Sequence, residues 1–327
     1  MKKGWKIFSV VVGAITLLYA LLALLPRQKN YELENPLLKT GKLPVLVAHR
    51  GGDGEFPGNT IEAFYNAYSV DERVMMETDV AITKDDVVIL SHDTYIDDKS
   101  NAKGNVCDWN YTDMIAQEVD FSYQDGEKFV NEAGVAVTPM DVEYPEGITA
   151  RHPTKFLTTT LEELLTAFPN NYISAEIKQE GELGKKALRH VIDILRKHDA
   201  FDRVVVASFH QEIYKEFQRL QKTKSVPQEF MYSPCIETVV GFYASQLLGL
   251  DVLFRDKLCV LQLPMEEYGF KLATKKLIER AHRHNVAVQF WTIDDKADMR
   301  YLIEIGADGI MTDYPHRLKE VYAEYQA

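Results

Sequence analysis

Short apolar runs alternate with amphipathic stretches along most of the chain, and this alternation predicts strands separated by helices. Short apolar, strand-like runs indicate strands at 44–48, 74–82, 87–91, 172–177, 204–208, 229–232, 258–263, 286–291 and 309–312. Apolar residues spaced three and four apart indicate helices at 60–69, 160–168, 184–198, 211–221, 236–248, 274–284 and 296–305. Repeated strand and helix units are typical of a parallel sheet with crossover helices.

The second and third predicted strands are too close together to be parallel neighbours. Only residues 83–86 separate them, whereas a parallel crossover needs about a dozen residues or more. They therefore form an antiparallel hairpin, and the eight remaining strands predict an α/β fold, a TIM-type (β/α)8 barrel. A turn centred near Asp85 pairs position 79 with 91 and position 77 with 93.

Two segments interrupt this pattern. Residues 94–157 are polar and rich in Asp, Asn, Gly and Tyr, and they are too long for a structureless loop, so we predict an inserted subdomain over the barrel mouth. Residues 31–43 contain the breakers Asn35-Pro36 and Gly41, which indicates a short linker. The barrel with its insertion then covers residues 44–320.

The first 30 residues differ from the rest in character. Lys2, Lys3 and Lys6 precede the uncharged segment 7–25, whose 19 residues would span about 28 Å as a helix. This length and the lysines predict an uncleaved transmembrane anchor with its N-terminus in the cytoplasm and the bulk of the chain outside. A cleaved signal peptide is the alternative, although the run is long for one and no small-residue cleavage site follows it.

The net charge of the chain argues against a nucleic-acid partner. The formal net charge of the 327 residues is −12, and no long basic patch is present. Because nucleic-acid binding depends on neutralising phosphates with Lys and Arg, we expect no nucleic-acid partner. The acidic excess fits a solvated surface.

Three carboxylates fall at the carboxyl ends of predicted barrel strands, where barrel active sites lie. Glu77 and Asp79 are two residues apart and so share one face of their strand, and Glu176 ends a later strand. Carboxylates pointing into one barrel repel one another unless a cation lies between them. We therefore predict a site for one divalent cation, Mg²⁺ or Ca²⁺; acids paired in surface salt bridges are the alternative.

Histidines and fixed positive charges occur at the same strand ends. His49 and His92 are candidates for a general acid and base, because imidazole titrates near neutral pH. Arg50 and Lys178 can hold an anion such as a phosphate, although salt bridges to the acids would explain them equally. Asn59 precedes the first barrel helix, which it is expected to cap together with Thr60, and Asn59 can also reach the site.

These motifs together resemble one enzyme family. The chain is similar to the glycerophosphodiester phosphodiesterases, whose barrel is of the phosphatidylinositol phospholipase type, over residues 45 to about 320. The resemblance rests on His49-Arg50-Gly51, 57–64, 77–80, His92-Asp93, 160–164, 176–178, Trp291-Thr292-Ile293 and 309–315. The chain departs from the family pattern at Asp98-Lys99-Ser100 and in its long acidic insertion.

The resemblance implies roles for the site residues. Glu77, Asp79 and Glu176 would bind the metal, His49 and His92 would form the acid/base pair, and two cations would hold the phosphate. The two positive side chains are those of Arg50 and Lys178. Apart from the resemblance, Asn59, Asp93 and Trp291 are candidates for supporting residues. The implied reaction is metal-dependent hydrolysis of a glycerophosphodiester to glycerol 3-phosphate and an alcohol.

Two alternatives keep the same fold. The substrate could be a lysophospholipid, in a lysophospholipase D type of reaction, or a glycerophosphate-containing envelope polymer, because the anchor would place the barrel near both. The barrel could also be an inactive surface binding module, although a binder has no need of two acid/base groups.

Overall fold

The computed structural model describes residues 2–326. Within these residues the α-helices are α1 Lys2–Leu24, α2 Ile61–Val70, α3 Tyr111–Ala116, α4 Leu161–Ala167, α5 Gly181–Lys197, α6 Gln211–Lys222, α7 Ile236–Leu247, α8 Lys275–Arg283, α9 Lys296–Ile305 and α10 Pro315–Glu324. The strands are β1 Val45–Ala48, β2 Met75–Ile82, β3 Val88–Leu90, β4 Tyr123–Gln124, β5 Glu127–Lys128, β6 Ile173–Ile177, β7 Val204–Ala207, β8 Met231–Tyr232, β9 Val260–Leu263, β10 Glu266–Glu267, β11 Phe270–Lys271, β12 Ala287–Phe290 and β13 Gly309–Thr312.

Eight parallel strands form a nearly closed barrel, as predicted. Their order is β8-β7-β6-β2-β1-β13-β12-β9. The two end strands approach each other where the Cys259 thiol, just before β9, lies 3.6 Å from the Tyr232 carbonyl oxygen of β8. Most of the connections pass through an outer helix, which is the arrangement of a TIM barrel.

The predicted hairpin has the predicted register. Strand β3 pairs antiparallel with β2, and Val80 lies opposite Leu90 while Ile82 lies opposite Val88. Beyond the ladder, the Ser91 N–H donates to the Asp79 carbonyl at 2.9 Å. The chain after β3 therefore returns toward the carboxylates of β2, because the four-residue turn permits no other direction.

The segment 31–43 lies against the base of the barrel and is more than the linker that we predicted. Tyr31 and Leu37 are buried with Met231 and Cys259 in the apolar layer at that end. The amide of Asn35 donates to the Cys259 carbonyl at 2.7 Å. The segment closes the amino-terminal end of the barrel, so the opposite end is left for the site.

The insertion 94–157 follows β3 directly. Its first part has its own small core, in which Ile96, Val106 and Met114 pack against Ala81 and Ile89 of the hairpin. Strands β4 and β5 form a two-stranded ribbon within it. Neither this ribbon nor the β10–β11 hairpin was predicted, since strands of two residues leave no periodic pattern.

Helix α1 stands apart from the barrel. The segment Trp5–Leu22 has a mean hydropathy of 2.0 and, among the described residues, forms the one helix long and apolar enough to cross a membrane. Its residues make no buried contact with the rest of the chain. The first attachment to the barrel follows the helix, where Arg27 Nε lies 3.2 Å from a carboxylate oxygen of Asp251.

Candidate active site

Strand register brings the three predicted carboxylates together at the carboxyl ends of β2 and β6. Asp79 lies directly opposite Glu176 in the parallel ladder, and Glu77 lies two residues before Asp79. One oxygen from each of the three lies within 4.8 Å of the others. Adjacent strands are about 4.8 Å apart, so this register alone accounts for the grouping.

The three carboxylates differ in pKa. Burial and the charge of Asp79 raise the pKa of Glu77 to about 7. Burial also raises the pKa of Glu176, which Lys178 only partly offsets. Asp79 is buried as well, but Lys178 and Arg50 hold its pKa at about 2. Burial is therefore the main reason that Glu77 and Glu176 favour the protonated form, whereas Asp79 favours the ionised form.

The donor set fits a hard divalent cation. All three groups offer carboxylate oxygens, Glu77 and Asp79 are almost fully buried, and all three oxygens can converge on one point. Mg²⁺ and Ca²⁺ prefer such ligands, and neither requires nitrogen or sulfur. The pKa of Glu77 and Glu176 is raised because burial and the charge of Asp79 outweigh the positive charges of His49 and Lys178.

The turn after β1 places Arg50 through an unusual backbone. Arg50 has a φ of 53° and Gly51 a φ of 86°, both in the left-handed region. A Cβ at Gly51 would lie 2.9 Å from Ala63 Cβ, so only glycine fits there. This strained turn points the Arg50 N–H at Glu77, to which it donates at 3.0 Å.

His49 is held in one orientation by a carboxylate from the last strand of the barrel. Its Nδ1–H donates to Asp313 Oδ1 at 2.6 Å, and its Nε2 lies 3.9 Å from a Glu77 oxygen. Burial disfavours the imidazolium, but the bond to Asp313 and the charge of Glu77 outweigh burial and raise the pKa of His49 to about 9. A carboxylate bonded to Nδ1 fixes the tautomer and leaves Nε2 for chemistry.

The two predicted anion binders lie among the carboxylates. Lys178 Nζ is 3.0 Å from Asp79 and 2.9 Å from Glu176. Arg50 Nε is 3.3 Å from Asp79, and its Nη1 donates to Asp53 at 3.2 Å. In spite of their burial, the pKa of both cations is raised by these neighbours, with Asp79 the strongest. Both cations are within reach of an anion bound beside the carboxylates.

His92 lies on the chain that returns from the hairpin. Its Nδ1–H donates to Asp93 Oδ1 at 3.0 Å, so Asp93 lies where it can orient the ring. Burial lowers the pKa of His92 more than the charge of Asp79 raises it, and Lys178 and Arg50 lower it further. The two histidines therefore have opposite protonation tendencies, because Asp313 and Glu77 act on His49 whereas Lys178 and Arg50 act on His92.

Asn59 lies in the site, whereas Thr60 alone caps the helix. Thr60 Oγ1 accepts from the Ala63 N–H at 3.3 Å as the N-cap of α2. Asn59 has a φ of 60°, and its amide donates to Asp79 Oδ2 at 2.9 Å. Its carbonyl oxygen accepts from the Thr78 hydroxyl at 2.7 Å. The expectation that Asn59 shares the capping was wrong, and its reach to the site was right.

Trp291 directly follows β12 at the barrel mouth. Its ring centre is 6.0 Å from that of Phe209, and Lys178 Nζ lies 5.8 Å from the centre of the Phe209 ring. Phe209 is 43% exposed, so these two rings form an apolar wall beside the charged site. Phe209 was not predicted, because a single aromatic residue after a strand has no distinguishing pattern.

Three further charged residues belong to the site and were missed from the sequence. Asp313 holds His49, Asp53 pairs with Arg50, and Lys99 Nζ lies 3.7 Å from Asp53. Asp313 follows the last strand at the same barrel end, which is the signal that could have identified it. Lys99 shows that the insertion reaches the site at the position where the family pattern changes.

A second group of possible metal ligands lies at the barrel mouth and has other partners. Glu180, His210 and Glu212 each offer an atom within 4.8 Å of the others. However, Glu212 accepts from the Gly181 N–H at 3.0 Å, and His210 Nε2 bonds to the Lys178 carbonyl at 3.1 Å. These bonds tie the starts of α5 and α6 together, which explains the group structurally.

Comparisons with known proteins show the family of this chain. The model of the glycerophosphoryl diester phosphodiesterase family matches residues 49–317. The human protein named lysophospholipase D GDPD3 is 24% identical over 318 residues, covering 92% of this chain and 92% of the relative. The glycerophosphodiester phosphodiesterase of Bacillus altitudinis is 25% identical over 284 residues, covering 85% of this chain and 98% of the relative.

Solved structures share the fold. A glycerophosphoryl diester phosphodiesterase from Parabacteroides distasonis ATCC 8503 superposes with a TM-score of 0.62 at 18% identity, covering 91% of this chain and 93% of the other. An Oleispira antarctica phosphodiesterase in complex with the product sn-glycerol-3-phosphate has a TM-score of 0.60 at 18% identity, covering 86% and 97%. The family match spans most of the chain and includes His49 and His92. The chain therefore belongs to the glycerophosphoryl diester phosphodiesterase family and is a phosphoric diester hydrolase.

Proposed function

We propose that the protein hydrolyses glycerophosphodiesters to glycerol 3-phosphate and an alcohol, with one divalent cation and an acid/base pair of histidines. The observation that carries this proposal is the convergence of Glu77, Asp79 and Glu176 beside His49 and His92 at one end of the barrel. A site of this composition can neutralise a phosphodiester and move two protons, which is what the reaction requires.

Glu77, Asp79 and Glu176 would hold the cation, Mg²⁺ or Ca²⁺. The bound ion would neutralise the phosphate and make the neighbouring glycerol 2-hydroxyl more acidic. Arg50 and Lys178 would then turn from the carboxylates toward the phosphate oxygens, since each lies within 3.3 Å of Asp79. Asn59 would keep Asp79 in place through its 2.9 Å hydrogen bond.

The histidines would transfer the protons in two stages. In the first, one imidazole accepts the proton of the glycerol 2-hydroxyl as its oxygen bonds to phosphorus, and the other protonates the departing alcohol oxygen. In the second, water attacks the cyclic phosphate, its proton passes to an imidazole, and the ring oxygen at carbon 2 leaves with a proton from the other. Asp313 and Asp93 would orient His49 and His92 throughout.

A direct test uses the purified chain with glycerophosphocholine. His49→Ala and His92→Ala are each expected to lower kcat by about 10² to 10⁴, because a positioned acid or base contributes that much. Full activity in either variant would refute the acid/base pair. Chelator treatment is expected to abolish activity, and restoration by Mg²⁺ or Ca²⁺ would identify the ion. His316→Ala is the matched control, since His316 pairs with Glu55 outside the carboxylate group.

A lysophospholipid is the second candidate substrate. It is favoured by the apolar wall of Phe209 and Trp291 beside Lys178, since a soluble head group needs no such surface. A relative carries the name lysophospholipase D. Comparing kcat/KM for glycerophosphocholine and lysophosphatidylcholine separates the two, and Phe209→Ser should reduce only the lysolipid reaction if the wall contacts the acyl chain. An envelope glycerophosphate polymer would be the substrate if neither small molecule were turned over.

We also propose that α1 is an uncleaved membrane anchor with its N-terminus in the cytoplasm and the barrel outside. The support is the length and apolar character of Trp5–Leu22. Protease added to intact cells should then degrade the barrel, and the chain should keep its N-terminus. Recovery of a mature protein that begins after residue 25 would show a cleaved signal sequence.

A further inference from the structure

Helix α7 turns a stripe of apolar residues outward and buries two polar residues on either side of Phe242. Ile236, Val240 and Leu247 are 52%, 59% and 63% exposed, whereas Thr238 and Gln246 are buried. At 3.6 residues per turn the three exposed positions fall within about 40° of one another, so they form one stripe along the helix. A helix packed on a barrel in water normally turns such a stripe toward the core.

The other outer helices follow the ordinary pattern. In α5, for example, Leu188, Val191 and Leu195 are buried, and Glu182 near the start of the helix is exposed. In α7 the buried Gln246 has no hydrogen-bond partner for its side-chain amide among the described residues. The outward apolar stripe and the buried polar residues therefore distinguish α7 from helices such as α5.

The exposed apolar surface extends beyond α7 in both directions. At the base of the barrel, Leu248 and Leu253 are 59% and 53% exposed. At the mouth, the β10–β11 hairpin exposes Tyr268 and Phe270 at 86% and 56%, and Tyr243 of α7 contacts the Phe270 ring at 6.1 Å. We call α7 with these four residues the α7 surface. Contiguous apolar surfaces of this kind mark contact sites.

Helix α1 joins the barrel beside this surface. Asp251, three residues after Leu248, pairs with Arg27, which closely follows the end of α1. Arg283 of α8 lies 3.8 Å from the same carboxylate and is half-exposed. Arg255 is also exposed at this end. The α7 surface therefore has basic residues at the end where the apolar helix α1 finishes and the chain joins the barrel.

We propose that the α7 surface lies on the membrane that α1 crosses, with its leucines among the acyl chains and its basic end against anionic head groups. Apolar helix faces beside Lys and Arg bind bilayers in this way. Because α7 begins at the barrel mouth after β8 and ends at the base, such contact lays the barrel on its side. The mouth then faces along the membrane surface. This inference rests on the proposed anchoring and is independent of the chemistry of the site.

The test uses the full chain in vesicles of phosphatidylcholine and phosphatidylglycerol. A spin label is attached at Leu247→Cys in a Cys107→Ser background, where Cys235 and Cys259 are buried and protected. The control label is at Ala323→Cys, which is exposed on α10 across the barrel from α7. Collision rates with oxygen, which dissolves in lipid, and with a water-soluble nickel chelate report the surroundings of each label.

The inference predicts that the ratio of oxygen to chelate collisions is severalfold higher at 247 than at 323. Val240→Glu should lower the ratio at 247 toward the control value, and circular dichroism will show that the variant is folded. If both labels gave the same low, water-exposed ratio in a chain that resists carbonate extraction, the inference would be overturned but the proposed anchoring by α1 would stand. If the ratios were equal and carbonate extracted the chain from the vesicles, both the membrane contact of the α7 surface and the anchoring by α1 would be overturned. Shielding of 247 from both reagents would mean that protein, for example α1, covers the surface.

Discussion

At the scale of single residues, the pKa of His49 depends chiefly on one partner that counteracts its burial. Replacing Asp313 by Asn removes the charge-assisted bond of 2.6 Å and a nearby negative charge. Burial, which disfavours the imidazolium, then prevails, so the pKa of His49 should fall from about 9 to its ordinary value or below. An NMR titration of the metal-free protein measures this directly.

The same substitution should lower kcat by about 10²-fold or more, because the imidazole loses its fixed tautomer. The limb of the pH profile that belongs to His49 should move to lower pH. Glu55→Gln is the matched control, since Glu55 bonds to His316 and not to His49. An unchanged His49 titration in the Asp313→Asn protein would show that Asp313 only fills space.

Most residues of the candidate site could be predicted from the sequence. The seven catalytic, metal and phosphate positions proposed from strand ends all lie in one site, because barrel strands deliver their ends to one mouth. Asp313 was not predicted as a site residue, because it is 264 residues from His49 along the chain. Its neighbour Thr312 pairs with Ala48 in the β1–β13 ladder, so only knowledge of barrel closure makes the contact visible.

At the scale of elements, Arg151 joins the insertion to two barrel helices. Its guanidinium contacts Glu62 of α2 and Glu163 of α4 at 3.4 Å, and donates to the Leu157 carbonyl at 2.7 Å. Glu62 is fully buried, and burial raises its pKa although Arg151 lowers it. Arg151→Met would leave this carboxylate without its partner, which costs about 3–5 kcal/mol of unfolding free energy in comparable sites.

The pH dependence of that loss has a definite sign. Without Arg151 the folded-state pKa of Glu62 rises further above its unfolded value, so the folded protein binds the extra proton. The variant should be least destabilised at about pH 4 and progressively more so as pH rises through the folded pKa. Urea unfolding at several pH values measures it. Adding Glu62→Gln should recover part of the loss, and a loss independent of pH would contradict the argument.

The elements themselves were predictable where loops are short or periodicity is strong. The β2–β3 register followed from a four-residue turn. Helix α5 begins at Gly181, three residues before the predicted start. This start could not be predicted, because the Gly and Glu residues there show no apolar periodicity. The segment 31–43 was predicted to be a linker because its polar residues and breakers interrupt any periodic pattern, although Tyr31 and Leu37 are buried at the barrel base.

At the scale of the whole molecule, the barrel brings three acids to one point, and this arrangement opposes folding when no metal is bound. The pKa of Glu77 is raised to about 7 by burial and by Asp79, so the stability that its protonated form contributes is lost as pH rises from the ordinary pKa through 7. Glu77→Gln removes that titration and can still accept the Arg50 N–H. Metal-free Glu77→Gln protein should therefore be at least as stable as the native chain at about pH 8.

Metal should stabilise the native chain much more than the Glu77→Gln variant. An ion that binds only the folded state stabilises it by about 2.7 kcal/mol at a hundredfold excess over its Kd. Thermal unfolding with and without Mg²⁺ or Ca²⁺ should show a raised Tm for the native chain and little change for Glu77→Gln. Glu212→Gln, outside the three carboxylates, should respond as the native chain does. If Glu77→Gln gained as much from the ion as the native chain, Glu77 would not be a ligand, and the cost of gathering three acids would need another explanation.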